Sequence, residues 1–304
     1  MKPNFTHPTG RPHATPLKSL LLAGAALIAG AQASVAQPAH LLNGLTLVTQ
    51  IYSQQSQGIF TDSEGAQINR YGGSWEDDAD PSFIRFGNPI QGVMPGNNTT
   101  CAPFVTHLLL ATYNWNWGNV VFFDPILNSN HSCESPSSYR YVAMIKQNAG
   151  FVAQLPTLNL VQPGDIMALQ DVGANTGHTT IVVQVDWLSG KAYPSQLPGA
   201  DGTLAGSTYY EVEVLDSSSG QHSSDTRTVT LANNTKVITS GAGVGRMGVL
   251  VNGNFEVLGH TWSLPTANYA TKPATWLSGF KSRFRPQSNR EMVFGRLPAL
   301  NVVP

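Results

Sequence analysis

The chain has 304 residues, a formal net charge of −1 and only 12% charged residues, with 29 Gly and 20 Pro among them. That length accommodates one large domain, and the sparse, balanced charge leaves no basic stripe for a nucleic-acid partner. Beyond the first 36 residues no apolar run approaches the ~20 residues of a membrane helix, so no stable membrane anchor is expected.

In chain order, residues 1–36 read as a signal peptide. Lys2, Arg11 and Lys18 supply positive charge, Ser19 to Ala31 is a short apolar run, and Ser34-Val35-Ala36 is a small-x-small cleavage site. The mature protein is therefore predicted to begin at Gln37 and to be exported, periplasmic or secreted. Residues 37–96 read as an irregular N-terminal extension, within which Leu41 to Tyr52 fits either a helix or a strand. Tyr71-Gly72-Gly73-Ser74-Trp75 reads as a turn. Glu76-Asp77-Asp78-Ala79-Asp80-Pro81 lacks the fixed spacing of a helix-loop-helix calcium site and is expected to be a solvated loop.

A helix is predicted to open at Thr100-Cys101-Ala102-Pro103. Thr100 is a suitable N-cap, Pro103 is tolerated in a first turn, and Phe104, Val105, Leu108 and Leu109 recur at helical spacing. Cys101 thus stands at a helix N-terminus, where the macrodipole favours the thiolate. A Trp-rich segment follows, and then a second helix signal in which Ser135 precedes Pro136, with Tyr141, Val142 and Ile145 on one face.

Strands are then predicted at Ile166 to Leu169, after the Pro163-Gly164-Asp165 turn, and at Thr179 to Trp187, after Gly177-His178. Others follow at Tyr209 to Asp216, Thr228 to Leu231, Met247 to Asn252 and Phe255 to Leu258. Helices followed by strands, without alternation, indicate an α+β fold with an antiparallel sheet.

Three polar residues stand at the ends of these elements: Cys101, His178 and Asp216. In an antiparallel pair the start of one strand lies beside the end of the next, so His178 and Asp216 can be neighbours. The chemistry of amide hydrolysis assigns Cys101 as nucleophile, His178 as base and then acid, and Asp216 as the group that fixes the imidazole. His222 and Asp225 stand in the polar loop after Asp216, and His222 is the rival orienter of His178.

The chain holds only one other cysteine, Cys133, and in an oxidising compartment a Cys101–Cys133 disulfide is the competing expectation. It would leave a catalytically silent module binding glycan or peptide through Trp75, Trp115 and Trp117. A metal centre built on His178, Asp216 and His222 has no His-Glu-x-x-His or paired-ligand spacing behind it, so neither metal nor cofactor is expected.

Thr100-Cys101-Ala102-Pro103-Phe104-Val105, Val161-Gln162-Pro163-Gly164-Asp165-Ile166 and Thr176-Gly177-His178-Thr179-Thr180-Ile181-Val182, in that order, resemble the NlpC/P60 and CHAP group of cysteine peptidases and amidases. The resemblance covers residues 97–216. It implies a papain-like fold, a Cys-His dyad at Cys101 and His178 with a polar orienter where Asp216 stands, and cleavage of amide bonds, chiefly in peptidoglycan peptides. On this view residues 97–304 form one papain-like hydrolase domain with a β-rich C-terminal elaboration. Thr100-Cys101-Ala102 replaces the Asp-Cys-Ser common in these families. Tyr71-Gly72-Gly73 looks like their Tyr-Gly-Gly, but stands far upstream of the nucleophile.

Overall fold

A computed structural model describes residues 37–298; the expected signal peptide lies outside these residues. Within the stretch predicted to be irregular, Ala39–Ser56 folds as an 18-residue helix, α1. Leu41, Leu47, Val48 and Ile51 are buried along one side of it, so the helix has a core to meet.

Next come β1 (Asn69–Tyr71), β2 (Phe83–Arg85) and β3 (Gly96–Thr99), a three-stranded sheet in the order β1-β3-β2. β1 runs parallel to β3 and sets Tyr71 opposite Thr99. β3 leads directly into α2 (Cys101–Tyr113), which starts where the sequence predicts. The hairpin of β4 (Phe122–Asp124) and β5 (Ser129–His131) precedes α3 (Ser138–Lys146). The N-cap of α3 is Ser137, two residues beyond Ser135, because a residue before proline is pushed towards extended backbone.

The remaining strands are β6 (Ala153–Leu155), β7 (Ile166–Asp171), β8 (Gly177–Ala192), β9 (Thr208–Ser218), β10 (Thr228–Thr230), β11 (Lys236–Ile238), β12 (Gly241–Val251) and β13 (Val257–Thr261). After α4 (Pro273–Arg283) come β14 (Phe284–Pro286) and β15 (Arg290–Arg296), the last elements among the described residues. Eight of the strands form one antiparallel sheet in the order β14-β13-β12-β9-β8-β7-β15-β6. The C-terminal region is therefore integral: β12 pairs with β9, and β15 inserts between β7 and β6.

Helices α1, α2 and α3 cover one face of this sheet, packing Leu47, Phe104, Leu108 and Ile145 against Ile166, Ile181 and Leu215. The opposite face carries Leu169, Val182, Val214, Met247 and Phe294, and β13 comes round to touch β15, so this face closes over its own core. α4 shields a third cluster with Trp276 and Phe280 on Tyr209 and Leu250. The architecture is α+β, with four α-helices among the described residues and a dominant antiparallel sheet. None of the described helices is long and apolar enough to cross a membrane.

Candidate active site

Cys101 is buried in the first turn of α2. Thr100 holds an N-cap conformation but makes no side-chain cap, so the helix N-terminus is left to polarise what faces it. Burial would raise the Cys101 thiol, but the charge of His178, hydrogen bonding to His178 and Ser138, and the backbone of Thr179 bring it down to about 6. Thr179 Oγ1 donates to Ser138 Oγ at 3.0 Å, which leaves the Ser138 hydroxyl free to point its hydrogen at Cys101 Sγ, 3.5 Å away. Through Ser138 the start of α3 is tied to the start of α2.

His178 opens β8. Gly177 beside it has no side chain for a physical reason: an added Cβ would lie 2.0 Å from the carbonyl oxygen of Leu169 and 3.1 Å from Ser138 Cβ. His178 Nε2 meets Asp216 Oδ2 at 2.5 Å, leaving Nδ1 for the thiol side. Burial disfavours the imidazolium, yet the negative charge of Cys101 and the hydrogen bond to Asp216 raise His178 to about 9. The lowered thiol and raised imidazole belong to one coupled pair, thiolate with imidazolium.

Asp216, fully buried at the end of β9, is held well below the usual carboxylate range. Burial opposes this, while the charges of Arg227 and His222 and the hydrogen bonds from both histidines outweigh it. Arg227 Nη2 lies 2.9 Å from Asp216 Oδ1 and donates to Asp225 Oδ2 at 2.7 Å. His222 Nε2 reaches Asp216 Oδ2 at 2.9 Å, its Nδ1 donates to the Trp262 carbonyl oxygen at 2.8 Å, and its backbone N–H donates to Asp225 Oδ2 at 2.7 Å. Trp262 packs against both rings, with centroids 4.7 Å from His178 and 4.2 Å from His222.

Room for this network comes from β12. Gly243 lies opposite Asp216, and a Cβ there would come within 2.7 Å of Arg227 Nε, while a Cβ on Gly245 would come within 2.7 Å of His222 Cβ. Residues 241–246, outside the strand predicted from Met247, are a strand whose glycines accommodate buried polar side chains.

The structure thus brings Cys101, His178 and Asp216 together, with Asp216 hydrogen-bonded to His178 and His222 hydrogen-bonded to the same carboxylate oxygen. His178, Asp216 and His222 also place ligating atoms within 4.8 Å of one another, but Arg227 presses a guanidinium on the same carboxylate, a poor setting for a cation.

Both cysteines are free, so the Cys101–Cys133 disulfide is not formed. Burial pushes the Cys133 thiol up, and the nearby Arg140 only partly offsets it. The aromatic platform is not formed either: Trp117 is buried in the core and Trp115 packs against it, leaving Trp75 alone on the cleft. In the acidic stretch, Glu76, Asp77 and Asp78 are exposed, whereas Asp80 pairs with Arg70 and accepts from Asn98 Nδ2 at 2.9 Å.

Tyr71 joins the site from far upstream in the sequence. The β1–β3 pairing brings it beside Cys101, and burial, the charge of Cys101 and hydrogen bonding to it all keep the phenol protonated. The Tyr71 hydroxyl also lies against the Cys101 backbone N–H. An open cleft of about 830 Å³ reaches the thiol between Tyr71, Trp75, Ser137 and Arg140. Compared with known protein families, curated proteins and solved structures, the chain matches none.

Proposed function

We propose that the protein is an exported cysteine hydrolase of amide bonds on a papain-like frame, of the NlpC/P60 and CHAP kind, acting on peptidoglycan peptides. The observation that carries the chemistry is the Cys101 thiol at a helix N-terminus, lowered to about 6 beside an imidazole that Asp216 fixes through Nε2. The substrate assignment rests on the sequence resemblance and on the export signal read in residues 1–36.

In the reaction, the Cys101 thiolate attacks the amide carbonyl and the C=O electron pair moves onto oxygen. The hydroxyl of Tyr71, which lies against the Cys101 backbone N–H, is the donor offered to the developing oxyanion. His178 Nδ1–H gives its proton to the departing amine as the C–N bond breaks, leaving a thioester on Cys101. Neutral His178 then takes a proton from water, whose oxygen attacks the thioester; collapse frees the carboxylic acid and restores the ion pair. Asp216 stays ionised throughout and keeps the ring in register.

The test is incubation of residues 37–304 with purified peptidoglycan and identification of released fragments by mass spectrometry. New amine and carboxyl ends with the parent protein, and none with Cys101→Ala, support the reading. Fragments released equally by both proteins would sink it.

A further inference from the structure

Charges of both signs line the cleft. Glu76 and Glu134 stand exposed there, and the Glu134 carboxylate accepts from Trp75 Nε1 at 3.4 Å. Arg140, in the first turn of α3, lines the same cleft.

Arg140 is set by a buried carboxylate that has no capacity left. Its Nε donates to Asp124 Oδ2 at 2.9 Å, and the same oxygen accepts from Tyr139 OH at 3.1 Å. Asp124 Oδ1 accepts the backbone N–H groups of Ile126 and Leu127 at 2.9 and 3.1 Å. Four donors fill the four lone-pair sites of that carboxylate. The carboxylate's grip on Arg140 is therefore single, through Nε; the guanidinium lies over the Tyr139 ring at 5.4 Å and beside the Cys133 thiol, and its Nη groups make no hydrogen bond to a carbonyl or carboxylate among the described residues. The Ser135 and Ser137 hydroxyls nearby have no partner, and the first turn of α3 holds no acidic side chain to satisfy its N–H groups.

We propose that this corner is a carboxylate-binding subsite, so that the substrate is an amide bearing a free carboxylate close to the scissile bond. The subsite rests on the hydrolase reading only for the meaning of its occupant. The planar fork of Arg140 Nη1 and Nη2 matches a carboxylate in bidentate fashion, with the serine hydroxyls and α3 N–H groups completing the shell. Glu76 and Glu134, which line the same cleft, oppose a doubly charged phosphate more than a singly charged carboxylate.

Binding is measured by calorimetry on the Cys101→Ala protein, with N-acetylglycine against N-acetylglycinamide as probes. The acid is expected to bind saturably and the amide about tenfold more weakly, the scale of one charge-assisted hydrogen-bonded pair. Arg140→Gln should weaken the acid by about tenfold and leave the amide unchanged. Because Arg140 also secures Asp124, the Ser135→Ala, Ser137→Ala double variant, which spares that ion pair, is measured alongside and should weaken the acid alone.

Equal binding of acid and amide, no saturable binding of the acid, or unchanged acid binding in both sets of variants would overturn the subsite. So would inorganic phosphate binding more tightly than N-acetylglycine. Iodoacetamide labelling of the parent protein reports separately on Cys101. An inert thiol with intact N-acetylglycine binding defeats the hydrolase alone, and a reactive thiol without that binding defeats the subsite alone.

Discussion

The two sides of His178 are built on opposite principles. On the cleft side, Cys101 and Tyr71 line open space, and the thiol and imidazole are displaced from their ordinary values in a way that makes proton transfer easy. On the far side, Asp216, His222, Asp225 and Arg227 are buried and linked by hydrogen bonds and ion pairs, with the Asp216 carboxyl held well below the usual carboxylate range. The contrast fits the division of labour that the proposed chemistry requires: reactive groups need access and a movable proton, whereas an orienting anion needs a rigid setting with its charge paired.

The sharpest way to break this contrast is to exchange the expected outcomes on its two sides. Cys101→Ala should abolish turnover while leaving thermal unfolding nearly unchanged, and Cys133→Ala should retain turnover. In iodoacetamide labelling of the parent protein, Cys101 should react increasingly as pH rises through about 6, with Cys133 lagging until well into the alkaline range because burial raises its thiol.

On the buried side the large effect is on stability. Arg227→Met strands Asp216 and Asp225 without their cation and should cost about 3–5 kcal/mol in urea unfolding. The Asp216 carboxyl is depressed in the folded state, so its contribution is present above the unfolded value of ~3.9 and is lost as pH falls through the lower folded value. Acid unfolding of Asp216→Asn should therefore be less pH-dependent than that of the parent, and a parallel dependence would count against a buried ionised Asp216.

Asp216→Asn also tests the link between the two sides. Activity of the parent should rise through about 6 and fall through about 9, the limits of the thiolate–imidazolium pair. Removing the carboxylate should lower the rate and bring the alkaline limb to lower pH, since a neighbouring anion favours the imidazolium. If His222→Ala shifts that limb and Asp216→Asn does not, the orienting role passes to His222. The smallest effect is expected for Tyr71→Phe, a loss of about tenfold to a hundredfold in rate with KM little changed, the scale of one oxyanion donor or somewhat less.

The parts of the site that follow from short-range patterns were legible in the sequence. Cys101 announces itself by Thr100, Pro103 and the apolar spacing that follows, and His178 and Asp216 by their places at strand ends. Tyr71 is visible as a motif, but only the parallel pairing of β1 with β3 brings it to Cys101, and such pairings leave no local signal. Arg227 reads as one polar residue in a polar loop, because its partner Asp216 is supplied by another strand. Ser138 is hidden for a similar reason, its role coming from Thr179 on β8. α1 was ambiguous because its periodicity acquires meaning only when a core face exists to receive it.

The insertion of β15 between β7 and β6 has a consequence for the order in which the protein can come into being. Chain synthesis delivers Cys101, His178 and Asp216 well before Arg290–Arg296, yet β7, the neighbour of β8, has one edge unpaired until that last strand arrives. Closing a sheet through such distant segments carries a large loop-closure entropy and is slow. The Cys101–His178–Asp216 cluster is thus framed only once Arg290–Arg296 has been made, and a nascent or truncated polypeptide ending before Arg290 carries Cys101 without the frame that aims it.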